Sequence, residues 1–167
     1  SEMCIRDRFN DIMVKKRNEV IMKILVDADG CPVVKSAVEI AEKFNIEIIL
    51  FCDTSHIFNS DYAKTVTVSK GADSADFALV NKIDGGDIIV TQDYGLAAMA
   101  LSRKGIPLTQ NGLIITADNI DGLLNSRYMA KKARMAGKRL KGPSKRTKEQ
   151  DEAFENALTA LLSAKGT

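Results

Sequence analysis

The 167-residue chain has no tryptophan, one histidine and only three each of proline, cysteine and tyrosine. A lone histidine, His56, excludes a His-rich zinc site and any mechanism that needs a histidine pair. Cys4, Cys31 and Cys52 are too few, and odd in number, for a disulfide framework. They point to a reducing compartment, and the expectation is the cytoplasm. No apolar run approaches the ~18 residues of a spanning helix, and the start of the chain lacks the apolar segment of a secretory signal. No membrane association is therefore expected. What is present is globular in character: 45% hydrophobic and 28% charged residues, in a length that suits one domain.

The net charge of +2 hides a strong asymmetry. Residues 23–126 carry eight basic and fourteen acidic side chains, whereas residues 127–148 carry ten basic ones and no acid. An acidic body beside a basic strip needs a partner to explain it. The first stretch, Ser1–Arg8 (SEMCIRDR), has no periodicity and resembles translated sequencing adapter. Residues 1–21 are accordingly expected to be a non-native or disordered extension, and residues 22–164 a single domain.

Within that domain short apolar runs alternate with helical patterns. Lys23–Asp27, Glu47–Cys52, Thr65–Ser69 and Asp87–Thr91 read as strands, continuous rather than alternating in hydrophobicity, as in sheets covered on both faces. Val33–Phe44, Ser74–Ile83, Tyr94–Lys104, Asn119–Ala136 and Lys148–Ala164 read as helices, with Pro32 suited to a first helical turn. Ile106–Thr109 and Leu113–Thr116 are short extended pieces around an Asn111-Gly112 turn, and Lys138–Lys148 is a basic loop. The alternation predicts right-handed βαβ crossovers and a three-layer α/β domain with a mainly parallel, Rossmann-like sheet.

The acids of the body gather at strand ends. Asp27 and Asp29 follow the first strand, Asp73 and Asp76 the third, and Asp93 the fourth. Ligands of open parallel sheets bind beyond those carboxyl ends. Capping explains each acid singly: Asp73 and Asp93 suit N-caps, Asp76 a first helical turn, and Asp29 a turn with Gly30. Capping gives no reason for three strand ends to be acidic together. Convergent carboxylates cannot all stay ionised without a neutralising partner, and Mg²⁺ or Mn²⁺ is the hard cation that suits such oxygens.

Five ordered motifs carry a resemblance: ILVDADGCPV (Ile24–Val33), GADSAD (Gly71–Asp76), GDIIVTQDYGLA (Gly86–Ala97), NIDGLLNSR (Asn119–Arg127) and KGPSKRT (Lys141–Thr147). The chain resembles the YaiI/YqxD family of uncharacterised bacterial proteins, placed among PIN-like domains. The resemblance runs from Met22 to about Leu162 and departs from the family pattern at Gly137–Leu140, where the family loop is richer in glycine. PIN-like domains hold metal ions on an acidic cluster and hydrolyse phosphodiesters. The resemblance thus implies Asp27, Asp73 and Asp93 as metal ligands, with Asp29 and Asp76 assisting in catalysis. Two ions about 4 Å apart would activate water and stabilise the leaving oxygen.

The remaining candidates are weaker. Cys31 at a helix start is a candidate nucleophile or substrate contact, beside the plainer reading of a small packed residue. Thr91, Gln92 and Asn111 are candidates to orient water or phosphate, and His56 lies in a polar loop. The basic strip comprises Arg127, Lys131, Lys132, Arg134, Lys138, Arg139, Lys141, Lys145, Arg146 and Lys148. Its expected partner is a nucleic-acid backbone, RNA ahead of DNA, bound in a salt-sensitive way. Tyr128 is the strip's single aromatic residue, so neither base stacking nor sequence readout is suggested. Two alternatives to a metal-dependent nuclease stand beside it. One is a non-catalytic PIN-like binding domain. The other is a phosphatase of haloacid-dehalogenase type, with Asp27 as nucleophile and Asp29 as general acid.

Overall fold

A computed structural model describes residues 22–53, 58–69, 74–139 and 144–165. The elements are β1 (Lys23–Asp27), α1 (Val34–Lys43), β2 (Glu47–Asp53), β3 (Lys64–Val68), α2 (Ser74–Asn81), β4 (Ile88–Val90), α3 (Tyr94–Ser102), β5 (Ile106–Leu108), α4 (Ile120–Met135) and α5 (Lys148–Lys165). The five strands form one sheet in the order β3-β2-β1-β4-β5, and every pair is parallel. The expected three-layer α/β architecture is what the chain adopts.

Strand periodicity sorts the core into two layers. Ile24 and Val26 of β1, Ile48, Leu50 and Cys52 of β2, and Ile88 and Val90 of β4 share one cluster with Val34, Ala37 and Ala41 of α1 and Phe154, Leu158 and Leu162 of α5. Leu25, Ile49, Phe51 and Ile89 point the other way and pack with Leu79 and Val80 of α2 and Leu96 and Ala100 of α3. Outside α3 lies α4, which reaches the domain through Ile120 and Leu123 against Ala97 and Leu101. Cys52 is fully buried among apolar side chains. Among the described residues no buried side-chain nitrogen or oxygen lacks a hydrogen-bond partner.

Three expectations shift in detail. Pro32 sits in the turn before α1, whose cap is Val33, rather than in the first helical turn. Leu113–Thr116 contributes a single antiparallel bridge, Ile114 to Leu108, instead of a strand. The expected run Asp87–Thr91 keeps only Ile88–Val90 as strand: Asp87 turns its carboxylate to Lys23, and Thr91 turns its hydroxyl to Asp27. No helix of the described residues is long and apolar enough to cross a membrane.

Candidate acidic site and its rim

In the sheet order β3-β2-β1-β4-β5 the chain winds one way from β1 through β2 to β3, and the other way from β4 to β5. The reversal lies between β1 and β4, and the crevice beyond their carboxyl ends is the natural ligand site of such sheets. Asp27 ends β1 at that point, and Thr91–Asp93 follow β4. Parity sets their direction. Asp27 and Thr91 alternate with Val26 and Val90, so they share the face of Leu25 and Ile89, under α2 and α3.

The local chain then locks them. The Thr91 hydroxyl donates to Asp27 Oδ2 at 3.2 Å and accepts the Asp93 N–H at 3.0 Å. Asp93 caps α3, accepting from Gly95 N at 2.8 Å and Leu96 N at 3.2 Å, both on Oδ1. After Asp27 the chain turns sharply at Gly30, whose φ of +66° favours glycine, and the Cys31 N–H closes on Ala28 O. Asp29 is drawn to the end of β2, where its two oxygens accept the Asp53 N–H at 3.3 and 3.2 Å.

Asp76 lies in the first turn of α2. The consequence of the arrangement falls on Asp27, whose pKa is pushed up to about 6. Burial is the largest cause, followed by the negative charge of Asp76 and, more weakly, of Asp29 and Asp93; the Thr91 hydrogen bond opposes the rise. Four of the five expected acids, from three different strand ends, therefore meet electrostatically at one half-buried carboxyl. Asp73 lies outside the described residues, as do His56 and Lys141. Among the described residues no three His, Cys, Asp or Glu side chains form a group able to hold a metal ion.

Thr91 is buried, and its hydroxyl is engaged by Asp27 and Asp93, so its place is beneath the carboxylates rather than in contact with a substrate. Cys31 is half-buried against the α1 layer. Burial and the nearby Asp27 raise its pKa against the lowering by the Val33 backbone, Arg146 and Gln110, which disfavours a nucleophilic thiolate.

The basic strip divides. Lys131, Lys132, Arg134, Lys138, Arg139, Lys145 and Lys148 are exposed to solvent. Arg127, also exposed, and the half-buried Arg146 make contacts with the loops after β4 and β5. Arg127 lies 4.6 Å over the Tyr94 ring and donates to Gln92 O at 2.9 Å. Arg146 donates to Asp151 Oδ1 at 2.6 Å, Asn111 Oδ1 at 2.9 Å and Gln110 O at 2.6 Å. The strip is thus anchored at both ends on the loops after β4 and β5. Gln110 and Gln150 escaped the sequence reading, although Thr147-x-x-Gln150 is a legible capping box. Thr147 N donates to Gln150 Oε1 at 3.0 Å, and Gln150 N donates back to Thr147 Oγ1 at 3.3 Å.

Residues 25–164 match the family model described as "Uncharacterized BCR, YaiI/YqxD family". The chain belongs to this family. Its relatives include proteins named "UPF0178 protein". One from Exiguobacterium sibiricum is 50% identical over 86% of this chain and 99% of its own length. Others come from Clostridium acetobutylicum (49% over 84% and 97%) and Ruminiclostridium cellulolyticum (50% over 84% and 92%). No solved structure matches the chain. The family is uncharacterised, so any activity is argued from the site alone.

Proposed function

We propose that this chain is a divalent-metal-dependent phosphodiesterase acting on nucleic acid, RNA foremost. The observation that carries the reading is the position of Asp27, half-buried at the switch point of the sheet and tied through Thr91 to Asp93, with Asp76 and Asp29 close enough that their charges help raise its pKa. A fold tolerates such mutual repulsion when it has a use, and a hard cation relieves it. Mg²⁺ keeps several waters and needs only one or two direct carboxylates, so the donor set fits even without three close ligands. Asp27 and Asp76 would hold the ion, with Asp73 and Asp93 completing the set and Asp29 assisting. A bound ion supplies an activated water and charge neutralisation at the leaving oxygen.

The protein's own groups do the positioning. Thr91 fixes Asp27 through Oδ2, and the same hydroxyl ties down the Asp93 backbone, so two ligands move as one unit. The exposed Lys131, Lys132, Arg134, Lys138, Arg139, Lys145 and Lys148 would draw a phosphate backbone toward an otherwise repellent site. The phosphatase alternative requires Asp29 as general acid, but Asp29 is committed to the Asp53 N–H.

The test titrates Mn²⁺ into the protein by electron paramagnetic resonance and follows cleavage of end-labelled single-stranded RNA and DNA. Saturable Mn²⁺ binding and cleavage, both lost in Asp27→Asn, are expected. RNA binding without turnover, unchanged by that substitution, would establish the non-catalytic reading instead.

A further inference from the structure

At the carboxyl end of the sheet lies a cleft of about 450 Å³ that the phosphodiester reading does not use. It is bounded by Gly30 and Pro32 on one side, Gln92, Gln110 and Asn111 on another, and Ser144, Arg146 and Gln150 on the third. Gly30 and Pro32 follow β1, Gln92 follows β4, and Gln110 and Asn111 follow β5, so the cleft opens at the same carboxyl end of the sheet as the acids. Its size lies within the usual range of small-molecule sites, about 300–1,000 Å³.

Three features define what would fit. First, the lining mixes polar and apolar surface, and its one charged group, Arg146, is paired with Asp151 at 2.6 Å. A phosphate would gain little there. Second, four of the eight lining residues are carboxamides, each offering a donor and an acceptor on one planar group. Third, these groups are held in place. Gln92 Nε2 donates to Gln110 Oε1 at 3.2 Å, Arg127 fixes the Gln92 carbonyl, and Arg146 fixes the Gln110 carbonyl and Asn111 Oδ1. Gln150 is set by its capping box. The bonds made inside the lining leave Asn111 Nδ2, Gln150 Nε2 and Ser144 Oγ as donors and Gln92 Oε1 as an acceptor. A fixed array of that kind matches the edge of a nucleobase, as carboxamides do when they read base edges elsewhere.

We infer that this cleft is a nucleobase subsite, selecting the base next to the phosphate at the acidic site. Two arginines of the basic strip serve as its scaffold rather than as phosphate contacts. Readout is by carboxamides, which the scarcity of aromatic residues in the strip does not preclude. The role rests on the phosphodiester reading, but the binding does not, and the experiment keeps them apart.

The probes are the four uncharged nucleosides, titrated separately into metal-free protein in EDTA and followed by isothermal calorimetry or amide NMR shifts. One nucleoside is expected to bind at least fivefold tighter than the weakest. Asn111→Asp keeps an acceptor for Arg146 while replacing the Nδ2 donor by a second acceptor, so it should change the order of preference without loosening the loop. Gln150→Ala should weaken the favoured nucleoside at least threefold, and Asp27→Asn should leave its affinity as it was. Four equal affinities, no binding, or an order untouched by Asn111→Asp and Gln150→Ala overturns the subsite. These outcomes hold whether or not Mn²⁺ binds, so the two readings fail separately.

Discussion

The paired strands β1 and β4 have an aspartate at each end, Asp87 before β4 and Asp27 closing β1, and the protein treats them oppositely. At the start of β4 Asp87, fully buried, accepts the Lys23 ammonium at 2.6 Å, the Lys23 N–H at 3.1 Å and the Asp84 N–H at 2.7 Å. Burial pulls the Lys23 pKa down, but the hydrogen bonds and charges of Asp84 and Asp87 outweigh it and raise the value. At the far end Asp27 has one hydroxyl at 3.2 Å and other carboxylates for neighbours. A carboxylate kept for structure is given its cation within the chain. On the proposed reading, one held among like charges takes its cation from solution.

That contrast is sharpest where each site is broken. Asp87→Ala leaves the Lys23 ammonium with only the exposed Asp84 as partner and orphans two backbone N–H groups, a loss of about 3 kcal/mol. For a domain of this size that lowers the melting temperature by roughly 6–12 °C, measured by calorimetry. Asp27→Asn should do the reverse: a melting temperature at neutral pH no lower than wild type, with Mn²⁺-dependent RNA cleavage down by at least about 100-fold. If both substitutions merely unfold the protein, the two aspartates are alike and the comparison collapses.

A smaller effect separates the two kinds of basic residue in residues 127–148. Changing Lys131, Arg134, Lys138 and Arg139 together to Gln removes exposed charge only. RNA affinity near 0.15 M salt should fall about tenfold, and the log–log salt slope should drop by up to ~3, at ~0.7 per lost phosphate contact. Arg146→Gln should lower the slope little but cost about 1–2 kcal/mol of stability, because it breaks a partly buried pair with Asp151 and two further bonds. Fluorescence anisotropy at several salt concentrations and a denaturant titration read the two quantities.

The fold was legible because its strands are short continuous apolar runs; strand parity puts Asp27 on the face of Leu25, but only the packed structure shows that α2 and α3 cover that face. The acidic site was legible to the extent that its residues end strands. The direction of Arg146 was not. Ten basic residues look alike in a sequence, and which of them turns inward depends on α5 docking against the turn after β5. There Gly112 has φ of +83°, and a Cβ on it would come within 2.5 Å of Ala153 O. The carboxamide cleft was hidden for the same reason, since its walls come from residues 30, 92, 110 and 150. The Lys23–Asp87 pair spans 64 positions and carries no local signature.

The smallest expected effect is the most direct measure of the strain at Asp27. Its carboxyl moves from an ordinary 3.8 to about 6 on folding. Below pH 3.8 both states hold the proton and the group is neutral in its effect. Between 3.8 and about 6 the folded state alone retains the proton, so the contribution to stability falls as pH rises. Above 6 the full penalty is present. The shift corresponds at most to roughly 3 kcal/mol, and solvent screening at a half-buried site leaves about 1. In EDTA at pH 8, Asp27→Asn should therefore melt about 2–4 °C above wild type, and the gap should close by pH 4. Adding Mn²⁺ at pH 8 should raise the wild type and not the variant, removing the advantage. A variant less stable than wild type at pH 8 would mean that the charge on Asp27 is already compensated within the chain, as that on Asp87 is.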